Sequence, residues 1–120
     1  MSIFTEKDPQ GLTAKTPGAK MDAGKSPVSQ GALLYFPRAL LAIADVSLKG
    51  AEKYSWKGWE HVDDGFNRYT NAMGRHFLKE SIELIDADTQ CTHAACVAWN
   101  ALARLEIMLR EQESSPQQAH

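Results

Sequence analysis

The sequence has little excess charge of either sign. Its 120 residues include 13 Lys and Arg against 15 Asp and Glu, so the formal net charge is −2, and the pI is about 6.1. A protein that binds nucleic acid through its phosphates usually carries a marked basic excess. We therefore expect no direct binding to nucleic acid.

Long apolar runs are also missing. No segment approaches the roughly 18 apolar residues of a membrane span, and the first residues lack the apolar stretch of a secretory signal. We expect a cytoplasmic protein that does not contact the membrane. Cys91 and Cys96 lie five positions apart and point to different faces of a helix, so we expect reduced thiols.

Sustained β alternation and internal repeats are absent as well, which leaves an all-α fold. We predict a small antiparallel bundle of three to four helices. Residues 1–31 are rich in Gly, Pro, Lys and Ser without apolar periodicity and predict an extended N-terminal arm, followed by a helical domain at 32–112 and a frayed tail at 113–120. Because so short a helical domain buries a modest core, we expect a homo-oligomer, either a dimer or a tetramer.

Apolar periodicity predicts helices over 37–51, 66–84 and 91–110. Pro37 suits the start of the first helix, Asp63 or Asp64 the cap of the second, and Thr89 the cap of the third. The predicted core faces are Leu40, Leu41, Ala44, Leu48 and Ala51 on the first helix, Phe66, Tyr69, Met73, Phe77 and Leu84 on the second, and Ala94, Ala98, Ala101, Leu102, Leu105 and Leu109 on the third.

Two segments outside these helices admit two interpretations each. In the loop "AEKYSWKGWEHVDDG", Tyr54, Trp56 and Trp59 either cap the core from outside or form a stacking surface for a base. In the arm, "GAKMDAGK" is either a solvated linker or a phosphate clamp, in which glycine exposes backbone N–H groups and Lys20 and Lys25 neutralise the anion.

Carboxylates on the second helix are the main anomaly. Helical projection places Glu80 within the apolar stripe, where an ionised carboxylate is costly unless it is paired or binds a metal. Glu83 lies three positions on and shares its side of the helix. Further donors follow at the turn and on the third helix: Asp86, Asp88, His93 and Asn100. Such a set can hold Mg²⁺ against the phosphates of a substrate.

The alternative is an ordinary solvated helix. E-x-x-E spacing is common on exposed helical faces, and Glu80 can pair with Arg104 across the bundle. A zinc site at Cys91, His93 and Cys96 is less favoured because these positions do not share a helical face.

Several motifs in order resemble the dATP/dGTP diphosphohydrolase family of phages and bacteria, which is close to the MazG-like all-α nucleoside triphosphate pyrophosphatases. They are "GAKMDAGK", "PRALLAIADVSLKGAEKY" with "KGW", "RYTNAMGRHFL", an acidic turn and "HAACVAWNALARLE", spanning roughly 18–108. The resemblance implies an oligomeric helical enzyme that splits a purine deoxynucleoside triphosphate into the monophosphate and pyrophosphate, using Mg²⁺ or Mn²⁺ with two or more ions per site. Cys96 departs from the pattern, which usually has a second histidine there.

From the residues and the resemblance together, we predict site residues of three kinds. The predicted catalytic residues are Glu80, Glu83 and Asp86. The predicted metal ligands are Glu80, Glu83, Asp86, Asp88 and His93. The predicted substrate-binding residues are Lys20, Lys25, Lys53, Tyr54, Trp59, Arg75, His76, Lys79 and Asn100.

Two other functions remain open. A noncatalytic helical interaction module would use the carboxylates for salt bridges and the loop aromatics to dock a partner protein. The second is an enzyme with different reaction products, which would release intact triphosphate instead of pyrophosphate.

Overall fold

A computed structural model describes residues 6–114 of the chain. It contains a π-helical turn at Ser29–Leu33, α1 at Pro37–Lys53, a 3₁₀ turn at Gly58–His61, α2 at Gly65–Lys79 and α3 at His93–Ser114. Within these described residues β structure is limited to one isolated bridge, between Ile85 and Thr92. The prediction of a small all-α bundle is confirmed.

The chain divides into two compact units, Met1–Phe36 and Pro37–His120. The domain bounds expected from the sequence stay predictions, and most of the tail expected at 113–120 lies outside the described residues.

The N-terminal unit is ordered around the carboxylate of Asp8. Asp8 Oδ2 accepts hydrogen bonds from the backbone N–H of Gln10 (2.9 Å) and of Leu12 (3.1 Å), and Oδ1 accepts one from Lys20 (2.8 Å). Asp8 is accordingly buried. Three backbone donors stabilise the charged form and lower the pKa of this carboxyl, with the Lys20 bond contributing most. Asp8 therefore holds together two stretches of chain about twelve residues apart.

We expect Asp8→Ala to loosen this unit, because it removes the shared acceptor of three N–H groups. The backbone amides of Gln10, Leu12 and Lys20 should then exchange their hydrogens faster, as followed by NMR. Since the pKa of Asp8 is lowered by folding, its contribution is present above the unfolded value of about 3.9 and is lost as the pH falls through the folded value. Asp22→Ala, a change at an exposed carboxylate of the same unit, is the control. Equal exchange in both variants would contradict the role given to Asp8.

In the helical unit, α3 packs against both α1 and α2. Antiparallel pairing of α2 and α3 shows in their contacts. His76, near the end of α2, meets His93 at the start of α3, and Arg104 Nε donates to Thr70 Oγ1 (2.6 Å) further along. Gly65 starts α2, and a Cβ there would lie 3.3 Å from Ile107 Cδ1, so glycine permits the close approach.

The first residues and caps of the helices agree in part with those predicted from the sequence. α1 begins at Pro37 as predicted, and Asp64 is the N-cap residue of α2, although its Oδ1 accepts from the Asn67 side chain. The expected cap of α3 is wrong. Thr92 Oγ1 accepts from the Ala95 N–H (3.0 Å), so α3 starts after Thr92 and not after Thr89.

The predicted extension of the second helix to residue 84 is also wrong, because α2 ends at Lys79. The N–H groups of Ile82 and Glu83 both turn back to the carbonyl of Lys79. Further along, the His93 N–H donates to the Leu84 carbonyl, which joins the first residue of α3 to the segment that follows α2. Leu84, expected in the core, is 72% exposed, and Phe77 is exposed too. We refer to residues 80–92 as the connecting segment.

Most of the apolar face predicted for the third helix is exposed, namely its three leucines and Ala94, while Ala98 and Ala101 are partly buried. The buried residues of α3 are His93, Ala95, Cys96, Asn100 and Ala103. Leu102, Leu105 and Leu109 are 46%, 46% and 45% exposed. On α1, Leu41, Ala44 and Leu48 are exposed and Leu40, Ile43 and Val46 are partly buried. Small and hydrogen-bonded side chains fill the contact because they let the helix backbones approach closely.

Trp59, Tyr69 and Trp99 form a cluster of three edge-to-face rings, with centroids 5.6 to 6.3 Å apart. Tyr69 Oη donates to the Trp59 carbonyl (2.8 Å), Trp99 Nε1 donates to Ser47 Oγ (2.9 Å), and the Arg110 guanidinium lies over the Trp59 ring. For Trp59 the geometry favours the interpretation that it caps the core. By contrast, Tyr54 and Trp56 are exposed.

Candidate active site

Two histidines meet where α2 ends and α3 begins. His76 lies in the last turn of α2, and His93 is the first residue of α3. Their Nδ1 atoms are 2.9 Å apart. His93 is fully buried, so both of its ring nitrogens need partners within the protein.

The connecting segment brings two carboxylates to this pair. Glu83 Oε1 lies 2.9 Å from His93 Nε2. A carboxylate oxygen of Asp86 joins a group in which one donor atom each from His76, Asp86 and His93 lies within 4.8 Å of the others. These three side chains form the one such cluster found among residues 6–114, and we call them the His–Asp–His cluster.

Burial affects the ionisation of the cluster. It lowers the pKa of His76, and this outweighs the opposing effect of the nearby Asp86 carboxylate. At Asp86, burial alone would raise the pKa. Two hydrogen bonds from Thr89 outweigh this effect and lower the pKa below the usual value. The favoured forms are thus a neutral imidazole at His76 and an ionised carboxylate at Asp86.

Thr89 fixes the Asp86 carboxylate. Its hydroxyl donates to Asp86 Oδ2 (2.8 Å), and its backbone N–H donates to the same oxygen (3.0 Å). The Thr89 hydroxyl also accepts from the Cys91 N–H (3.2 Å). Sequence reasoning missed this function because it assigned Thr89 as a helix cap. The signal available was the D-x-x-T spacing, in which a carboxylate can reach the hydroxyl and amide three residues on.

Of the residues predicted from sequence to bind metal, the structure brings together Glu83, Asp86 and His93. Asp88 lies at the edge, where its Oδ2 pairs with Lys53 Nζ (3.0 Å) at the end of α1. Glu80 is exposed at the C-cap of α2, outside the contacts that join the cluster. Its expected place in an apolar stripe is therefore corrected, because the helix on which that projection depended ends one residue earlier. His76 was predicted to bind substrate, and its place among possible metal ligands was missed.

The predicted substrate-binding residues belong to several different elements of the two units. Arg75 and Lys79 are exposed on the last turns of α2, and Lys53 Nζ donates to Asp88 Oδ2 in the connecting segment. Asn100 is buried, and its Nδ2 donates to the Cys96 carbonyl (2.8 Å). In the N-terminal unit, Lys25 pairs with Glu6 (2.9 Å), while the Lys20 side chain is exposed. Their roles in binding substrate stay predictions, as do those of Tyr54 and Trp59.

Cys96 occupies a buried position beside this site. Its Sγ lies 3.9 Å from Thr89 Oγ1, and burial raises the pKa of the thiol. A protonated thiol is a poor metal ligand, since metals bind the thiolate. The cysteine that stands in place of a second histidine therefore packs against Thr89 as a small buried side chain.

The chain is thus a helical bundle with histidine and carboxylate donors clustered where α2 ends and α3 begins. The chain belongs to the dATP/dGTP diphosphohydrolase family, whose N-terminal domain model matches residues 15–117. Comparison with curated proteins and with solved structures found no match. None of the described helices is both long and apolar enough to cross a membrane.

We expect Thr89→Val to destabilise the helical unit by about 1.5 kcal/mol, because it removes a hydrogen bond to a charged carboxylate while keeping the shape of the side chain. Thr89→Ser keeps the hydroxyl and should lose much less. Urea unfolding followed by circular dichroism measures both. If the valine variant were as stable as the serine variant, the hydroxyl would not be what holds Asp86.

Proposed function

We propose that the protein hydrolyses purine deoxynucleoside triphosphates, dATP or dGTP, to the monophosphate and pyrophosphate with the help of a divalent cation. The single observation that carries the proposal is the convergence of Glu83, Asp86, His76 and His93 at one end of the bundle, in a chain of this family. The resemblance favours Mg²⁺ or Mn²⁺ as the ion, with two or more ions per site.

In the proposed reaction, the oxygen of a water molecule bonds to the α-phosphorus, and the bond from that phosphorus to the bridging oxygen breaks. Pyrophosphate leaves, and the protons of the water are transferred to bases or solvent. A bound divalent ion would supply charge neutralisation and a more acidic water. Asp86 would help to hold the ion, and Glu83 would keep His93 oriented. We retain Glu80 as a further proposed catalytic group that would approach from the exposed end of α2.

The triphosphate needs cationic partners as well. Arg75 and Lys79 are exposed near the end of α2, the helix that bears His76. Lys53 is the last residue of α1, where it pairs with Asp88 of the connecting segment. We assign them to the phosphates. That Lys20 and Lys25 also bind phosphate stays a prediction from the sequence. Because Tyr54 is exposed, its ring is available to a purine, whereas the Trp59 ring already contacts Tyr69, Trp99 and Arg110.

The direct experiment incubates the protein with each of the four deoxynucleotides and Mg²⁺ or Mn²⁺, and identifies the products by chromatography. We expect dGMP or dAMP with pyrophosphate. Glu83→Gln should reduce turnover about 100-fold, because the amide no longer supplies the carboxylate that orients His93. Helical circular dichroism should not change.

Glu111→Gln, at an exposed glutamate near the end of α3, is the matched control and should retain full activity. Release of intact triphosphate would contradict the proposed bond cleavage. If no nucleotide were hydrolysed and none raised the melting temperature with the ion present, the noncatalytic interaction module would be favoured instead.

The proposal includes self-association through the leucines of α3. The buried apolar residues found in the described chain are all small: Ala95, Cys96 and Ala103. Leu102, Leu105 and Leu109 are nearly half exposed on one face, beside a cavity of about 480 Å³ that Ile43 and Trp99 help to line. Burying this face against a second copy would supply the apolar area that the single chain leaves in water.

Sedimentation equilibrium tests this assembly. We expect the wild type to be a dimer or tetramer and the double variant Leu102→Glu/Leu105→Glu to be a monomer, since two carboxylates would be buried at the interface. The control Leu78→Glu changes an exposed leucine on α2 and should leave the assembly intact. A wild-type monomer would contradict the proposed association.

A further inference from the structure

We infer that His76, Asp86 and His93 form a site selective for a transition-metal ion such as Co²⁺ or Zn²⁺ over Mg²⁺, with Glu83 orienting His93 instead of binding the ion. The inference concerns the same site as the proposed function and deepens it by naming the class of ion. It departs from the carboxylate ligand set expected from the sequence.

The chemical types of the three ligand groups are the first evidence for a transition-metal ion. Two of the three converging groups are imidazoles, and the third is a carboxylate. Imidazole nitrogen suits ions such as Zn²⁺, Fe²⁺ and Ni²⁺, whereas Mg²⁺ takes carboxylate, carbonyl and water oxygens. The cluster therefore fits a transition-metal ion and fits Mg²⁺ poorly.

The hydrogen bond to Glu83 settles which nitrogen of His93 is available. An ionised carboxylate only accepts hydrogen bonds, so across the 2.9 Å contact His93 Nε2 donates and Glu83 Oε1 accepts. In the neutral ring this leaves the lone pair on Nδ1, the nitrogen that lies 2.9 Å from His76 Nδ1. A histidine that binds a metal commonly donates its other N–H to a carboxylate in this way.

The remaining ligands are held in place as well. Thr89 binds Asp86 through Oδ2, which leaves Oδ1 outside those bonds. Histidine nitrogens bind such ions at about 2.0–2.1 Å, so two Nδ1 atoms 2.9 Å apart can both reach one ion. In the absence of an ion, His76 Nδ1–H can donate to His93 Nδ1, and this hydrogen bond fixes the orientation of the two rings.

The test is binding of the ion alone, without nucleotide. After removal of metal with a chelator, the full-length protein is titrated with Co²⁺ by visible absorption, and with Zn²⁺ and Mg²⁺ by calorimetry. We expect Co²⁺ and Zn²⁺ to bind at least 100-fold more tightly than Mg²⁺. His76→Gln should weaken Co²⁺ binding at least 10-fold and change Mg²⁺ binding less than 2-fold.

Two variants separate the roles of the neighbouring groups. Glu83→Gln should weaken Co²⁺ binding 10- to 100-fold while the bound ion keeps its absorption spectrum, because an orienting group and not a ligand has changed. His61→Gln, at an exposed histidine, and Cys91→Ser should bind Co²⁺ as the wild type does. Nitrogen-15 NMR of the metal-free protein near pH 8 should show His93 protonated on Nε2 and not on Nδ1.

The inference fails if Co²⁺ and Mg²⁺ bind equally well, if His76→Gln leaves Co²⁺ binding unchanged, or if His93 carries its proton on Nδ1. Loss of the wild-type Co²⁺ spectrum in Glu83→Gln would make Glu83 a ligand and overturn its assigned role. Failure of the proposed function is distinguishable: Co²⁺ would bind as expected while no nucleotide is hydrolysed. Conversely, if the protein hydrolysed nucleotides with Mg²⁺ but did not bind Co²⁺ selectively, the proposed function would stand and the inferred metal selectivity would fail.

Discussion

The fully buried imidazole of His93 is the constraint on which the end of the bundle depends. A polar ring removed from water must have partners for its nitrogens, because leaving them unpaired costs on the order of 1–3 kcal/mol each. One partner is His76, which sets the end of α2 against the start of α3. The other is Glu83, which draws the connecting segment back across the helix ends. The contacts that provide partners for the buried His93 ring are therefore the same contacts that bring the side chains of the candidate site together.

Local sequence signals predicted the fold class and the start of α1, but hydrophobic periodicity failed for α3. The buried face of that helix contains His93, Cys96, Asn100 and Ala103, which are polar or small, while its leucines are nearly half exposed. A pattern search ranks leucines first, so it selects the face left uncovered in a single chain. The correct face depends on hydrogen bonds and close backbone approach, which apolar spacing does not record.

The candidate site was predictable where it is local in sequence. Glu83, Asp86 and His93 lie within eleven residues of one another, and their donor chemistry marks them. Glu80 was misplaced because a projection assumes that the helix continues, whereas α2 ends at Lys79. The contact of His76 with His93 needs the register of two antiparallel helices, which one sequence does not supply. Thr89 was wrongly assigned as the cap of α3. Its hydroxyl donates to the Asp86 carboxylate instead, a contact that depends on how the connecting segment folds.

The charges around the His–Asp–His cluster bear on how a triphosphate would enter. Asp86 and Glu83 are carboxylates, and burial favours a neutral His76. Lys53 is already paired with Asp88 at the edge. The carboxylates of Glu83 and Asp86 would repel the phosphates of a nucleotide, whereas the exposed Arg75 and Lys79 at the end of α2 would attract them. In the proposed reaction a divalent ion bound at the cluster would neutralise the two carboxylates, so that the phosphates can approach them.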